Sequence, residues 1–217
     1  MRYRLITIGR EFGCGSGELG QRLAQGLGWK LFDRELIDEI ARTAELDPNA
    51  CRQADERLDS WLHRIGKGLW NAAGEKGPAL VPDQNLDAEG MAALTRKVIE
   101  DLAAAGQCVI VGRGGNYLLR ERRDAFHVFL YAPRAWRIRR LQAQGLERGA
   151  AAALVDRRDH DRAAYIRRHF NDAWPQPQLY HLMLNATLGP ELLGAAVLAA
   201  LGEQGTGDRG QWSGNCD

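Results

Sequence analysis

Residues 5–34, LITIGREFGCGSGELGQRLAQGLGWKLFDR, decide the fold that the sequence predicts. The apolar, β-branched run at residues 5–8 predicts a buried strand, and a cluster of glycines follows it directly. Leucines spaced four residues apart then predict the inner face of a helix: Leu19, Leu23 and Leu27. Gly28 ends this helix, and residues 29–33 predict a second short strand.

The rest of the chain repeats this alternation of strands and helices. Further strands are predicted at residues 108–111, 126–131 and 182–184. Helices are predicted at residues 35–64, from Asp87 to Gly106, after Pro133, and at residues 150–170 and 190–201. The alternation predicts an α/β layered fold with a mostly parallel sheet. Residues 66–86 predict a loop, and the tail, residues 202–217, lacks apolar periodicity and is expected to be disordered.

Unusual residues fall where a parallel sheet binds its ligands, at the carboxyl ends of strands. The first such group is the glycine-rich segment made of Gly13, Cys14, Gly15, Ser16 and Gly17. Asp33 and Arg34 follow the second predicted strand, and Gly112 and Arg113 follow the third. This coincidence predicts a ligand site at one edge of the sheet.

The glycine-rich segment predicts a phosphate-binding loop. A strand, a glycine turn and a helix together direct several backbone N–H groups at one anion. The common loop GxxxxGK[ST] has a lysine after its last glycine and then a hydroxyl for Mg²⁺. If Gly15 is that last glycine, Ser16 stands in place of the lysine and Gly17 in place of the hydroxyl residue. Two interpretations stay open, a phosphate loop and a tight turn whose glycines serve packing alone.

Charge and cysteine content narrow the class of protein. The formal net charge is +1, but thirteen arginines, no lysine and six acids between Arg120 and Arg168 make that stretch +7 and the remainder −6. Arginine binds phosphate through a planar fork, so the stretch favours an anionic ligand. The four cysteines form no CxxC pair, and no run is apolar enough for a signal peptide or a membrane helix. We therefore expect a cytoplasmic protein that does not enter a membrane.

Four blocks of the sequence resemble the cytidylate kinase-like family. The first is ITIGREFGCGSGELGQRLAQGLGWKLFDRELI, which is similar to the family's opening strand, REFGSGG-type loop and D-R-E-L-I segment. The others are CVIVGRGGNYLL, FHVFLYAPRAWRIRRL, and DHDRAAYIRRHFNDAW followed by YHLMLNAT. They occur in the family's order and cover most of residues 5–200.

The resemblance implies a P-loop kinase-like three-layer sandwich with a mostly parallel five-stranded sheet. It implies one domain over residues 1–201, with a helical acceptor-binding insertion at about 35–105 and an arginine-rich lid at about 134–170. The activity it implies is transfer of the ATP γ-phosphoryl group, with Mg²⁺, to a nucleoside monophosphate such as CMP. The family's loop also lacks the usual lysine.

The sequence departs from the family at several positions. Ser16 and Gly17 stand where the family usually has glycine and arginine, and Cys14 stands where it has serine. Val155 and Glu39 occupy positions at which true cytidylate kinases have arginines. These departures concern the acceptor and the rate more than the fold.

Candidate site residues follow from position and from the resemblance. ATP phosphates are assigned to the glycine-rich segment, and a metal ligand to the Ser16 hydroxyl. The candidate catalytic residues are Arg10, which flanks that segment and can replace the missing lysine, the lid arginine Arg137, and Arg162. The candidate acceptor-binding residues are Asp33, Arg34, Arg113, Arg158, Asp159 and Arg162.

Structural alternatives exist for most of these residues. Asp33 also fits a helix N-cap, and Arg113 fits a pairing role at a strand end. Arg137 belongs to a run of arginines that fits a solvated helix face. Asp159 and Arg162, three residues apart, fit a surface ion pair worth less than about 1 kcal/mol.

Three functions compete at this stage. The first is a nucleoside monophosphate kinase, which binds nucleotide substrates. The second is a non-catalytic or regulatory nucleotide-binding module with a degenerate loop. The third is a nucleic-acid binder that uses the arginine-rich stretch, although no nucleic acid is expected from the net charge. The oligomeric state is left open.

Overall fold

Apolar, β-branched segments form the strands of the structure, a computed structural model that describes residues 3–34, 36–37 and 88–202. The described strands are β1 (Leu5–Arg10), β2 (Lys30–Phe32), β3 (Cys108–Val111), β4 (Ala125–Tyr131) and β5 (Leu182–Asn185). The described α-helices are α1 (Ser16–Leu27), α2 (Ala88–Ala105), α3 (Gly115–Leu118), α4 (Arg134–Ala143), α5 (Arg148–Phe170) and α6 (Pro190–Gly202). Each lies within a few residues of the element that the sequence predicts, except α3, which sequence analysis did not predict.

The five strands form one sheet in the order β2-β3-β1-β4-β5, and every pair of neighbours is parallel. The prediction of a mostly parallel five-stranded sheet is confirmed. β1 lies at the centre, where it pairs with β3 on one side and with β4 on the other. The carboxyl ends of β1 and β3 are therefore adjacent, and the loops that follow them meet.

Alternating residues of the sheet bury two separate faces, as the two-residue period of a strand requires. On one face, Ile6 and Ile8 belong to a core that includes residues of α1 and α6. On the other, Leu5 and Ile110 belong to a core that includes residues of α2. Helices on both faces of a parallel sheet make three layers, so the predicted three-layer sandwich is confirmed.

Helices α4 and α5 form a third apolar cluster beside the end of β1. Phe12 is buried there against Leu141 of α4 and Val155 of α5. This cluster fixes the two arginine-rich helices next to the loop that follows β1. The stretch from residue 134 to residue 170, predicted as a lid, is thus helical apart from the short connection between α4 and α5.

Several predictions fall on parts of the chain outside the described residues. These are most of the helix at 35–64, the loop at 66–86, and the tail beyond residue 202. Leu36 and Ile37 are described, and both are helical and buried. The boundaries of the insertion, lid and tail stay predictions. In the described part of the chain, no helix combines the length and the apolar character needed to cross a bilayer.

Candidate active site

The predicted phosphate loop, residues 13–17 and called the phosphate loop below, lies between the end of β1 and the first turn of α1. Gly13 and Gly15 have φ of 84° and 73°, a left-handed conformation that a Cβ disfavours, so the two turns require glycine. α1 begins at Ser16, whose side chain is buried. Among the residues that the structure describes, none accepts a hydrogen bond from the backbone N–H of Gly13, Gly15, Ser16 or Gly17. Amides without a partner at a helix N-terminus suit the binding of an anion.

Helix α4 crosses one side of this loop at close range. A Cβ at position 13 would lie 3.2 Å from the Cβ of Arg137, and one at position 15 would lie 3.0 Å from Nη2 of Arg140. Arg140 also donates to Oε1 of Glu18 on α1, at 2.5 Å. The sequence alone indicates no role for Arg140. Its spacing of three residues from Arg137, which places both on one helix face, was the available signal.

Arg137, predicted as a catalytic lid arginine, lies beneath the loop. Its side chain is only 7% exposed. The guanidinium donates to the carbonyl oxygens of Ala132 and Phe12, both at 3.1 Å, and to Oδ2 of Asp159 at 2.5 Å. Glu11 Oε2 lies 3.5 Å from its Nε. These contacts make Arg137 a support of the loop, so a direct catalytic role stays a prediction that this geometry does not favour.

Asp159 accepts hydrogen bonds from three residues of the site. Its Oδ1 accepts from the backbone N–H of Phe12 at 2.7 Å and from Nη1 of Arg162 at 3.2 Å. Its Oδ2 accepts from Arg137. The side chain is 18% exposed, so the interaction is far more enclosed than the surface ion pair that sequence analysis left open. Its predicted contact with an acceptor stays a prediction.

A cavity of about 240 Å³ opens beside the carboxyl ends of β1 and β3. We call it the arginine cavity, because five of its lining residues are arginines: Arg10, Arg34, Arg113, Arg158 and Arg162. Asp161 is the one acid among the described lining residues. No described group accepts a hydrogen bond from the buried Nε of Arg158. The structure thus gathers five of the predicted site residues around one cationic space.

The backbone after β3 explains how this convergence arises. Gly112, Arg113 and Gly114 have φ of 86°, 52° and 68°, three consecutive left-handed residues. The Nη1 of Arg10 lies only 2.1 Å from the position that a Cβ of residue 112 would occupy. A glycine at 112 therefore leaves room for Arg10, and the turn places Arg113 at the cavity. Left-handed residues other than glycine are strained and cluster at functional sites.

Neutral hydrogen-bonding side chains lie at the same cavity. Tyr117, which lines it, donates through its hydroxyl to the carbonyl oxygen of Ala173 at 2.7 Å. Asn116 also lines the cavity, and its Nδ2 donates to the Tyr180 hydroxyl at 3.0 Å. Burial raises the pKa of both tyrosines. Both phenols therefore stay uncharged near neutral pH and add no negative charge that would repel an anion.

The side chains of Asp33 and Arg34 have different surroundings in the structure. Oδ1 of Asp33 accepts from the backbone N–H of Leu36 at 3.0 Å, and its carbonyl oxygen accepts from Ile37 N–H at 3.1 Å. This is the N-cap geometry that sequence analysis held as the alternative. Arg34 lines the arginine cavity, whereas Asp33 is not among its lining residues. An acceptor contact by Asp33 stays a prediction.

A second cavity of about 290 Å³ shares Arg113 and Tyr165 with the arginine cavity. It lies between α2 and the carboxyl-terminal end of α5, and Arg96, Arg168 and Phe170 also line it. Arg96 lies over the Phe170 ring, with Cζ 5.8 Å from the ring centroid. Neither cavity is lined by residues of the phosphate loop.

A metal ion would find few protein ligands in the described residues. They contain no group of three or more histidines, cysteines or acids that could hold one. Mg²⁺ in nucleotide sites is bound mainly through phosphates and water, with one or two protein oxygens. The Ser16 hydroxyl at the start of α1 fits that limited part.

The comparisons with known proteins agree with this geometry. A sequence profile described as the cytidylate kinase-like family matches residues 5–188. The chain belongs to the cytidylate kinase-like family. The resemblance of the four sequence blocks is thereby confirmed. A search of curated proteins finds no match.

Solved structures share the fold of this cytidylate kinase-like protein at low sequence identity. An uncharacterized protein from Eubacterium ventriosum aligns with a TM-score of 0.65 and 17% identity, covering 91% of this chain and 97% of its own. Shikimate kinase from Acinetobacter baumannii aligns with a TM-score of 0.50 and 14% identity, over 94% and 96%. A sugar kinase from Janibacter sp. aligns with a TM-score of 0.50 and 15% identity, over 92% and 94%. These likenesses establish the P-loop kinase fold.

Proposed function

We propose that the protein transfers the γ-phosphoryl group of ATP to a nucleoside monophosphate in the cytoplasm, with CMP as the first acceptor to test. The observation that carries this proposal is the arginine cavity, in which five guanidiniums converge at the carboxyl ends of β1 and β3. Membership of the cytidylate kinase-like family supports the same reaction class. The donor is assigned to the loop and the acceptor to the cavity.

The donor side of the proposal rests on backbone groups. The amides of residues 13–17 would bind the triphosphate, as helix N-termini bind phosphate elsewhere. Mg²⁺, when bound with the nucleotide, would offset the negative charge that develops during transfer, and the Ser16 hydroxyl would be its protein ligand. The loop has no lysine, so positive charge must come from side chains nearby. Arg10 at the end of β1 and Arg162 on α5 both line the adjoining cavity and fit that part.

The acceptor side rests on charge. Five guanidiniums and a single carboxylate among the described residues line the cavity, so its net charge favours an anionic acceptor over a neutral one that offers only hydroxyl groups. A phosphate monoester carries about −1.5 to −2 charges at pH 7 and has three oxygens that accept forked hydrogen bonds from arginine. Such an acceptor is already deprotonated, so its attack on the donor requires no general base. Alignment and charge are then the main demands on the protein.

The test is a product assay on the purified protein. ATP, MgCl₂ and each nucleoside monophosphate are incubated with the protein, and ADP and nucleoside diphosphates are separated by ion-exchange chromatography. Samples without acceptor, and samples with a neutral hydroxyl acceptor, serve as controls. We expect ADP and CDP in equal amounts with CMP, and ADP at background in the controls. ATP binding without turnover on any acceptor would contradict the proposal and favour a non-catalytic nucleotide-binding module.

A further inference from the structure

The carboxylate of Asp159 connects the phosphate loop to the arginine cavity. Its Oδ1 accepts from the backbone N–H of Phe12, the residue directly before the loop, at 2.7 Å. The same oxygen accepts from Nη1 of Arg162, which lines the cavity, at 3.2 Å. The donor side and the acceptor side of the site thus share one oxygen atom.

Two further contacts make this connection rigid. Oδ2 of Asp159 accepts from the guanidinium of Arg137, which in turn donates to the carbonyl oxygen of Phe12. The Cζ of Arg162 also lies 5.4 Å from the centroid of the Phe12 ring, close enough for a cation–π contact. Asp159 therefore holds Phe12 directly through the N–H. It also holds Phe12 indirectly, because the arginines at the carbonyl oxygen and the ring both donate to Asp159.

These contacts occupy the carboxylate. Both oxygens have donors, and two guanidiniums flank the group. The phosphate of an acceptor that approached Asp159 would bring negative charge towards a carboxylate, which like-charge repulsion disfavours. The geometry therefore supports a role that acts through Phe12 and Arg162.

We propose that Asp159 is a positioning residue that holds Arg162 and the phosphate loop in one fixed arrangement and does not itself bind the phosphate of the acceptor. The inference rests on the proposed function, since it concerns the alignment of the same donor and acceptor. Its expected effect is kinetic. Misplacing reacting groups by about 1 Å costs on the order of 100-fold in rate, while ground-state binding changes less.

The first test compares Asp159→Asn with Asp156→Asn in steady-state kinetics with MgATP and CMP. Asparagine keeps the shape of the side chain but lacks the charge that fixes Arg162. Asp156 lies one turn earlier on α5 and pairs with Arg134 on the exposed surface, so it is the matched control. For Asp159→Asn we expect kcat to fall about 10- to 100-fold and the KM for CMP to change by less than about 3-fold. For Asp156→Asn we expect neither to change.

The opposite pattern would overturn the inference. A KM for CMP that rises about 10-fold or more in Asp159→Asn, with kcat preserved, would mean that Asp159 contacts the acceptor. A double-mutant cycle with Arg162→Ala adds a second criterion. If Asp159 acts through Arg162, the loss caused by Arg162→Ala shrinks by at least about 5-fold in the Asp159→Asn background. Additive losses would exclude that route.

A third measurement tests the contact between Asp159 and Phe12 without any enzymatic turnover. Amide hydrogen exchange at Phe12, followed by NMR in the protein without ligands, reports the bond to Oδ1 of Asp159. We expect exchange to be at least about 10-fold faster in Asp159→Ala than in wild type, and unchanged in Asp156→Ala. Equal exchange in Asp159→Ala and wild type would refute the contact. If wild type phosphorylates no acceptor, the proposed function fails, and this measurement still decides whether Asp159 holds the loop.

Discussion

Arg113 is held in a conformation that its side chain disfavours. Its φ of 52° is left-handed, a feature it shares with Gln107 and Asn171 among the described residues that are not glycine. Such a residue costs on the order of 1–2 kcal/mol relative to a right-handed one. Arg113, which carries this strain, lines both cavities, whereas Gln107 is exposed and directly precedes β3.

Replacing Arg113 by glycine should therefore separate stability from function. Arg113→Gly removes the strain, and we expect the free energy of unfolding to rise by about 0.5–1 kcal/mol. The same change removes a cavity guanidinium, and we expect the KM for the acceptor to rise at least about 10-fold. Gln107→Gly is the matched control and should give the gain in stability without the loss. Urea denaturation and steady-state kinetics on both variants measure this, and a less stable Arg113→Gly variant would count against the account.

His127 makes the stability of the protein depend on pH. It is buried in β4, where its Nδ1 lies 2.7 Å from the Thr7 hydroxyl. Burial, and then the nearby His181, lower the pKa of His127 from 6.5 to about 4. The unfolded chain binds a proton at a higher pH than the folded one, so stability is complete above about pH 6.5 and falls as the pH approaches 4.

We expect this histidine alone to remove about 3 kcal/mol of unfolding free energy between pH 7 and pH 4. In His127→Gln the loss over that range should be smaller by the same amount, because glutamine does not titrate. His160→Gln, a change at an exposed histidine of α5, is the control. Chemical denaturation at half-unit pH steps gives the slopes. Parallel slopes for His127→Gln and wild type would contradict the assignment.

At the scale of elements, two arginines of helix α4 pair with carboxylates of α5 in different surroundings. Arg137 is buried and bonds to the end of β1 and to Asp159 of α5, while Arg134 of the same helix pairs with Asp156 on the surface. Both pairs join α4 to α5. They differ in burial, and burial decides what the loss of one partner costs.

Arg137→Met should destabilise the protein by about 3–5 kcal/mol, because it leaves the Asp159 carboxylate enclosed without its strongest partner. Arg134→Met should leave the midpoint of thermal unfolding unchanged, since water replaces an exposed ion pair. Differential scanning calorimetry of the two variants makes the comparison. Equal shifts of the midpoint would show that burial of the Arg137 pair does not matter.

The phosphate loop depends on glycine for its positive φ and for its close approach to α4, and substitutions can distinguish these two requirements. Gly13 and Gly145 have similar φ, 84° and 92°, but a Cβ at Gly13 would meet Arg137 while one at Gly145 would meet open space. Gly145→Ala should cost only the backbone strain, about 1–2 kcal/mol. Gly13→Ala should cost more and should also weaken ATP binding, because α4 must move. Calorimetric titration of MgATP measures ATP binding, and chemical denaturation measures stability, in both variants. A Gly13→Ala variant that binds ATP as wild type does and is no less stable than Gly145→Ala would contradict this account.

At the scale of the whole molecule, much of the positive charge between residues 120 and 168 is compensated. Seven of its arginines have a carboxylate within 3.5 Å: Arg120, Arg122, Arg134, Arg137, Arg140, Arg162 and Arg168. Arg158 and Arg162 from this stretch reach the arginine cavity. That cavity, of about 240 Å³, admits a small anion but not a polymer, so the arginines that line it suit the small anion.

We therefore expect no tight binding of nucleic acid. A fluorescently labelled 20-nucleotide RNA or DNA should show no saturable binding below about 10 μM protein at 0.15 M salt in a polarisation assay, as for weak non-specific contacts. Where a probe does bind, competition by CMP at the same salt concentration shows whether it binds through the arginine cavity. A dissociation constant below about 1 μM, with a steep dependence on salt, would favour the nucleic-acid function instead.

The fold was predictable because its signals are local, whereas the site was only partly so. The continuous apolar, β-branched run in β1 and the four-residue spacing of leucines in α1 report burial directly. The place of Arg113 was also readable, since it follows a strand between glycines. The burial of Arg137 and the partners of Asp159 depend on how α4 and α5 dock on Phe12. Such long-range contacts have no spacing of their own in the sequence.

The cations of the arginine cavity are all guanidiniums, and this has a consequence for ligand choice. Guanidinium groups keep their charge throughout the physiological pH range. A phosphate monoester, by contrast, gains its second negative charge near pH 6. A rise in affinity between pH 5 and 7 would then report the ionisation of the ligand, and the cavity would discriminate monoesters from singly charged diesters by charge alone.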